Sequence, residues 1–322
     1  MHMRIQRPLR LKIVLAVAAI AFIGSARDLS AQATPRADST RRMTPVEQAI
    51  GRAGTRQPDG VLKFSFPRSD LTVVARGVTL KPAFALGGWV AFKQTGRGQA
   101  MVMGDLVLTE VEVGPVIRAL QQGGVEQTAL HNHLLMESPR VMYLHISAQG
   151  DDARLAATIR HALTLTGAPL GPPSAPATPS AADLDTAGIA RALGFAGKLN
   201  GVVYQVSIPR PESITDTDGG EIVPPSMGVS TAINFQPTGG GRAAVTGDFV
   251  LRAAEVNPVI RALEAHGIEP TAVHSHMLTE NPRLLFMHFW GEDDAVNLAK
   301  GLRAALDQVQ LKKAISGNRD PR

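Results

Sequence analysis

Cysteine is absent from the 322 residues. That excludes a disulfide framework, a thiolate metal site, a cysteine nucleophile and lipid attachment at a signal-cleavage cysteine. Aromatic residues make up only 4% of the chain, too few for the stacking surfaces that hold nucleic-acid bases. A long apolar run is missing as well. The stretch from Ile13 to Ile23 would extend roughly 16 Å as a helix, about half the hydrocarbon thickness of a bilayer, which argues against a transmembrane anchor. No Gly-rich phosphate loop, HExxH helix or nucleophile elbow occurs, which leaves kinase, dinucleotide-enzyme and serine-hydrolase readings without support.

What precedes and follows that apolar run has the pattern of an export signal. Arg4, Arg7, Arg10 and Lys12 come before it, and small residues follow at Gly24-Ser25-Ala26 and Ala31-Gln32-Ala33. Residues 1–33 are predicted to be a cleaved signal peptide, with the cut near Ala26 or Ala33, and the mature protein to be periplasmic or secreted.

The formal net charge of +5 points first toward nucleic acid, until the charges are located. Cleavage after Ala33 removes five basic side chains and one acidic one, leaving +1. The tail from Lys312 carries four basic residues and one acidic residue, so the body is close to −2. A nucleic-acid partner is not expected.

The chain is a tandem duplication. Residues 80–163 lie on 223–306 at a constant offset of 143, with 23 of 42 positions identical from Gly104 to His145 but only 7 of 24 from Leu80 to Met103. The predicted layout is a polar leader over 34–42, a first repeat over 43–167, a Pro/Ala/Ser linker over 168–182, a second repeat over 183–309 and a basic disordered tail over 310–322.

Within the first repeat, a short helix is expected at 46–51. Period-two patterns predict strands at 61–66, 71–75, 89–92, 101–108, 127–135 and 141–147, with helices at 110–122 and 151–165. The start of the middle helix can be read two ways. Thr109 with Glu112 suggests a capping box, whereas Asn257-Pro258 in the other copy suggests a later start; the reading favoured is a start near 110. The second half of each repeat is therefore β-α-β-β-α. The fold class is α+β, with a largely antiparallel sheet and helices on one face.

The segments His131-Asn132-His133…Glu137-Ser138-Pro139-Arg140 and His274-Ser275-His276…Glu280-Asn281-Pro282-Arg283 are each followed by a further histidine, His145 and His288. Residues two apart on a strand share a face, so His131 pairs with His133. An odd hairpin loop of three or five residues would place His131 opposite His145 and His133 opposite Tyr143. It would also send Leu130, Leu134, Met142, Leu144 and Ile146 to the core, and Val273, Met277, Leu285, Met287 and Phe289 in the other copy. An even loop would turn His145 away.

Three imidazoles per repeat, with Glu137 or Glu280 at the hairpin end, make a donor set for zinc, copper, nickel, iron or manganese, with zinc or copper the first expectation. Asp105 and Asp248 are possible further ligands or acceptors for an imidazole N–H, and Arg140 and Arg283 possible supports. The plainer alternative is that the histidines are hydrogen-bonded core residues and that Glu137 and Arg140 form a surface ion pair. Against it, six of the nine histidines fall in these two sets. The HxHxxxE spacing also occurs in cupins, but a third histidine 12 residues on and flanking helices oppose a cupin barrel. Met101 and Met103 become Ala244 and Thr246 in the second copy, which disfavours a methionine copper site. Gly104 and Gly247 are expected to meet a backbone requirement, a bulge or a close strand approach, rather than a chemical one.

The strings Met103-Gly-Asp-Leu-Val-Leu-Thr-Glu110, Pro115-Val-Ile-Arg-Ala-Leu120, Thr128-Ala-Leu-His-Asn-His133 and Pro139-Arg-Val-Met-Tyr-Leu-His145 resemble the LppY/LpqO family of secreted bacterial proteins. Phe66-Pro-Arg-Ser-Asp70 and Ile208-Pro-Arg-Pro-Glu212 extend the likeness over both repeats. The resemblance implies export and a tandem domain of unknown function, and brings no activity with it. Lipoprotein members of that family use a cysteine that this chain lacks. Three function classes follow from the residues: a metal-binding envelope protein, a metal-dependent hydrolase or oxidoreductase, and a non-catalytic interaction module with structural histidines. The expected partners are a metal ion or small ligand, and the two repeats are expected to pack on each other.

Overall fold

The computed structural model describes residues 42–171, 180 and 183–311. The expected signal peptide, nearly all of the leader, most of the linker and the tail from 312 lie outside the described residues. Ala168 is buried and Leu170 packs on the first repeat's core, so residues 168–171 still belong to that repeat.

Each repeat forms one six-stranded antiparallel sheet. In the first, the spatial order is Thr55–Arg56, Leu62–Pro67, Gly87–Gly96, Gln99–Thr109, Val141–Asp151, Glu126–His131. The second repeats it with Lys198–Asn200, Val203–Pro209, Ser230–Gly239, Arg242–Leu251, Leu285–Asp294 and Glu269–His274. Helices Pro45–Ile50, Glu110–Gln122 and Asp152–Leu163 close one face of the first sheet over Phe64, Phe92, Leu106, Leu144 and Ile146. Helices Thr186–Leu193, Ala253–Glu264 and Ala295–Leu306 do the same for the second. The opposite faces meet each other, so the layers run helix, sheet, sheet, helix. Strand Gln99–Thr109 lies between two apolar layers and is buried almost throughout. Its run M-V-M-G-D-L-V-L is near-continuous rather than alternating for that reason.

The middle helix starts at Glu110 because the Thr109 backbone N–H donates to Glu112 Oε2 at 2.7 Å. In the second copy, the Arg252 N–H donates to Glu255 Oε2 at 2.6 Å. The glutamate carries this cap in both, which is why losing the threonine does not move the helix start. Both glutamates also hold a buried arginine. Arg68, 1% exposed, donates to Val107 O, Asp70 and Glu112; Arg210 donates to Val250 O, Glu212 and Glu255. Every guanidinium edge has an acceptor, which is what makes such burial tolerable.

One departure from the expected pattern follows from packing between repeats. The expected strand 71–75 shrinks to Val74–Ala75, because its stretch belongs to a strap over 71–86 that leaves its own sheet. Along this strap, Gln236 Oε1 accepts from Lys81 N, Gln236 Nε2 donates to Thr79 O, Gln205 Nε2 to Ala83 O and Asn234 Nδ2 to Phe84 O. Phe84 packs against Trp290 of the second repeat. The corresponding segment of the second repeat, with Ile214, Val223, Met227 and Val229, packs against Val61, Ala91, Met101 and Met103 of the first. Backbone groups that a sheet would have paired are satisfied by amide side chains across the interface.

The hairpin register also differs. A bulge between Gln127 and Ala129 sets Ala129 opposite His145 and His131 opposite Tyr143, and the strand ends at His131. The connection is longer than three or five residues because Glu137–Ser138 leaves to pair with Val74–Ala75. The shift is by two, so the parity that puts His131 and His145 on one face is kept. The expected core lists need correction: Leu130 and Val273 are 46% and 49% exposed on edge strands. Leu134 and Met277 join the apolar clusters between the repeats instead of the helix-covered cores.

Candidate metal centre

The inner faces of the two sheets carry all six hairpin histidines, and the structure brings them into one cluster. His131 stacks on His274 with ring centroids 3.7 Å apart, His133 lies 3.7 Å from His288, and His145 lies 3.9 Å from His276. Each contact joins one repeat to the other. The sequence led us to expect three histidines converging within each repeat; His131 lies 5.1 Å from His145 and His274 4.7 Å from His288, and the shortest contacts between histidine rings run across the repeats. The groupings whose ligand atoms lie within 4.8 Å of one another are His131/His274/His288 and His145/His274/His276. Both mix the two halves of the chain. A reciprocal pair of bonds aligns them: Thr128 Oγ1 donates to His276 O at 2.7 Å, and Thr271 Oγ1 to His133 O at 2.5 Å.

Backbone carbonyls set the tautomers. His131 Nδ1 is 2.9 Å from Asn132 O, His276 Nδ1 3.0 Å from Gly228 O, and His288 Nδ1 2.7 Å from Gly247 O. A carbonyl only accepts, so in the neutral rings Nδ1 carries the hydrogen and Nε2 presents its lone pair. The Nε2 atoms of His131, His133, His145 and His288, Nδ1 of His274, and one oxygen each of Asp105 and Asp248 are buried without a hydrogen-bond partner. Gly247 is placed by close strand approach, as expected: a Cβ there would stand 1.9 Å from Ala232 O. Gly104 is similar, with Trp89 O at 2.9 Å.

Two carboxylates complete the cluster. Asp105 lies 3.7 Å from His133 Nε2 and 4.0 Å from His145 Nε2, and Asp248 lies 3.0 Å from His276 Nε2. With Nδ1 protonated, His276 Nε2 and the Asp248 oxygen are two acceptors facing each other, and His276 Nε2 also stands 3.1 Å from His274 Nε2. Burial, helped by Asp248 and opposed by His276, lifts the Asp105 carboxyl to about 7. Burial works against ionisation of Asp248 too, but the neighbouring rings of His288 and His276 outweigh it and hold its carboxyl below the usual range.

Burial, then the neighbouring ring of His288, pushes His131 down to about 3 and His133 well below the ordinary histidine value. His145 is well below it by burial and His276, His274 by burial and His288, and His288 chiefly by burial. Neutral imidazoles with free lone pairs are the form that binds metal.

Glu137 and Glu280 do not enter either grouping. Each carboxylate turns back into its own loop, accepting from Val141 N at 3.2 Å and from Leu284 N at 2.8 Å. Burial lifts Glu137 to about 7. Arg140 is exposed and stands 4.0 Å from Glu110, while Arg283 donates to Met277 O, Leu278 O and Glu280. Met101 and Met103 are core residues of the interface.

Toward the strands Leu62–Pro67 and Val203–Pro209 the two sheets part, leaving a cleft of about 1340 Å³. Asp105, His133, Asp248, His276 and His288 line its inner end, and Lys63 and Trp89 its wall. Lys63 Nζ sits 4.0 Å from the Trp89 ring centroid and donates to Ser226 O at 2.9 Å. Burial lowers its ammonium to about 8. Sequence reading missed Lys63, and its one signal was weak: Lys63 alternates with the buried Leu62 and Phe64 on the polar side of a strand, and the second repeat has Gln205 there.

Comparison with known proteins agrees with the duplication. The model of a family described as Domain of Unknown Function (DUF1259) matches residues 44–165 and again 187–308. Among curated proteins none matches. Among solved structures, the trimeric bacterial microcompartment shell protein PduB aligns at 13% identity over 79% of this chain and 91% of that one, with a TM-score of 0.19. EtuB from Clostridium kluyveri aligns at 11% identity over 83% and 93%, with a TM-score of 0.19. At those scores neither carries an argument. No described helix is long and apolar enough to cross a membrane.

Proposed function

For a chain that belongs to the DUF1259 family, a domain of unknown function present here twice, we propose that the task is to bind a divalent transition metal, zinc or copper, in the histidine cluster between the repeats. The observation that carries the reading is the set of buried, unpartnered donor atoms from His131, His133, His145, His274, His288, Asp105 and Asp248. A buried polar atom without a partner costs on the order of 1–3 kcal/mol. Seven of them gathered between the sheets have a common explanation in bound metal. The resemblance to the LppY/LpqO type and the N-terminal signal pattern support placing this activity in the periplasm or outside the cell.

The test is elemental analysis of the purified mature chain, loaded with zinc or copper and freed of excess. Stoichiometric metal in the wild type and its loss in the His133→Ala, His276→Ala double variant is the expected result. A wild-type protein that stays metal-free after loading would falsify the reading.

The cleft favours a second reading, a metal-dependent hydrolase or oxidoreductase. Catalysis at a metal needs an approach for substrate and a group that can exchange protons nearby. The open inner end supplies the first, and Lys63 at about 8 is placed for the second. Turnover of model esters or phosphoesters by the zinc-loaded protein, lost in Lys63→Met with metal retained, is the corresponding measurement. Full activity in that variant removes Lys63 from the reaction.

A further inference from the structure

We propose that the cluster holds two metal ions in equivalent sites, each built from the HxH pair of one repeat and the third histidine of the other. This rests on the metal-binding reading and goes further, by assigning ligand sets and a stoichiometry. One site is His131, His133 and His288; the other is His274, His276 and His145.

Symmetry of contact distances carries the assignment. In the first set the ring centroids lie 5.2 Å apart for His131–His133, 3.7 Å for His133–His288 and 5.2 Å for His131–His288. In the second the corresponding separations are 5.0, 3.9 and 5.4 Å. Two sets of three rings thus reproduce one geometry, related by exchange of the repeats. His131 and His274, 3.7 Å apart, face each other where the two sets meet. The second set is already a close grouping of ligand atoms. The first shares His131 and His288 with the other close grouping, while His133 Nε2 stands 3.7 Å from Asp105.

Donor supply points the same way. A first-row ion takes about four to six donors. Six imidazoles and two carboxylates converge, and seven of these eight groups hold an unpartnered atom. One ion leaves buried donors orphaned; two ions, each with three imidazoles and one carboxylate, use them all. Asp248, 3.0 Å from His276, falls to the second set, and Asp105, beside His133, to the first.

The test is a count. Apo-protein prepared with a chelator is loaded with Cu(II), passed through a desalting column and analysed for copper per chain. Two per chain is expected for the wild type, about one for His288→Ala and about one for His145→Ala, with none in the double variant. One per chain in the wild type overturns the two-ion proposal while leaving metal binding intact; none overturns both. Loss of both ions in either single variant, with circular dichroism unchanged, also overturns it. Should the variants fail to fold, the wild-type count decides alone.

Discussion

His133 and His288 belong to different halves of the chain, yet their rings lie 3.7 Å apart in the buried interface between the sheets. Neither half can present this pair without the other. The first expectation is therefore that metal acts as a clamp between repeats. At a free ion concentration of roughly 1,000 Kd, a ligand that binds only the folded state adds about 4 kcal/mol. Removing metal with a chelator should lower the thermal midpoint by several degrees, and zinc or copper should restore it. An unchanged midpoint would mean that the ion adds nothing to the interface.

Acidification should weaken the metal-free protein. His131, pushed to about 3, and the still lower His133, His145 and His274 stay neutral when folded but take up protons near 6.5 when unfolded. Above that pH neither state binds the proton, and these groups are silent. As pH falls below it, each removes up to about 1.4 kcal/mol per unit. Asp105 acts oppositely: with its carboxyl at about 7, it favours the folded state on acidification through the range 7 to 4. Glu137, also at about 7, acts with Asp105, but two carboxyls against several imidazoles leave a net loss, so the urea midpoint should drop between pH 7 and pH 5. A rise over that interval would contradict the argument.

The buried arginine knots should be costly to break. Arg68→Met strips the hydrogen bonds to Val107 O, Asp70 and Glu112 and leaves the carboxylates uncompensated. A loss of about 3–5 kcal/mol is expected, with little change in metal content. Arg210→Met should match it, since the contacts are duplicated. Denaturant titration measures both.

Gly247→Ala should damage structure and site together. The new Cβ would meet Ala232 backbone oxygen at 1.9 Å, so the strand must shift and carry with it the carbonyl that fixes His288. Reduced stability and weaker metal uptake are expected, whereas Gly240→Ala, strained by its φ of 61 but meeting no neighbouring atom, should cost about 1–2 kcal/mol of stability and leave metal uptake alone.

Sequence patterns carried the fold further than the site. The constant offset marks the duplication, the Glu112 and Glu255 caps mark the helix starts, and HxH marks the inner face. The partition of ligands did not follow from the pattern, because alternation along a strand tells which face a residue occupies and says nothing about what covers that face. His145 shares a face with His131 in either arrangement, so only the sheet-on-sheet contact shows that its close neighbour is His276. The straps escaped for a related reason: Leu71 to Ala75 reads as a strand, while the strap it belongs to is held at Thr79, Lys81 and Phe84 by Gln236 and Asn234, at least 150 residues away.

The interlocked straps have an implication for the chain's ancestry. A polypeptide of half this length would carry HxH, the third histidine and an apolar sheet face that its own strap covers only in part. It could bury that face only by pairing with another copy of itself, and the tether now joining the halves turns such a symmetric homodimer into a single molecule whose two halves are free to diverge. Trp89 and Lys63, whose counterparts in the second repeat are Ala232 and Gln205, are where that divergence has reached the walls around the histidines.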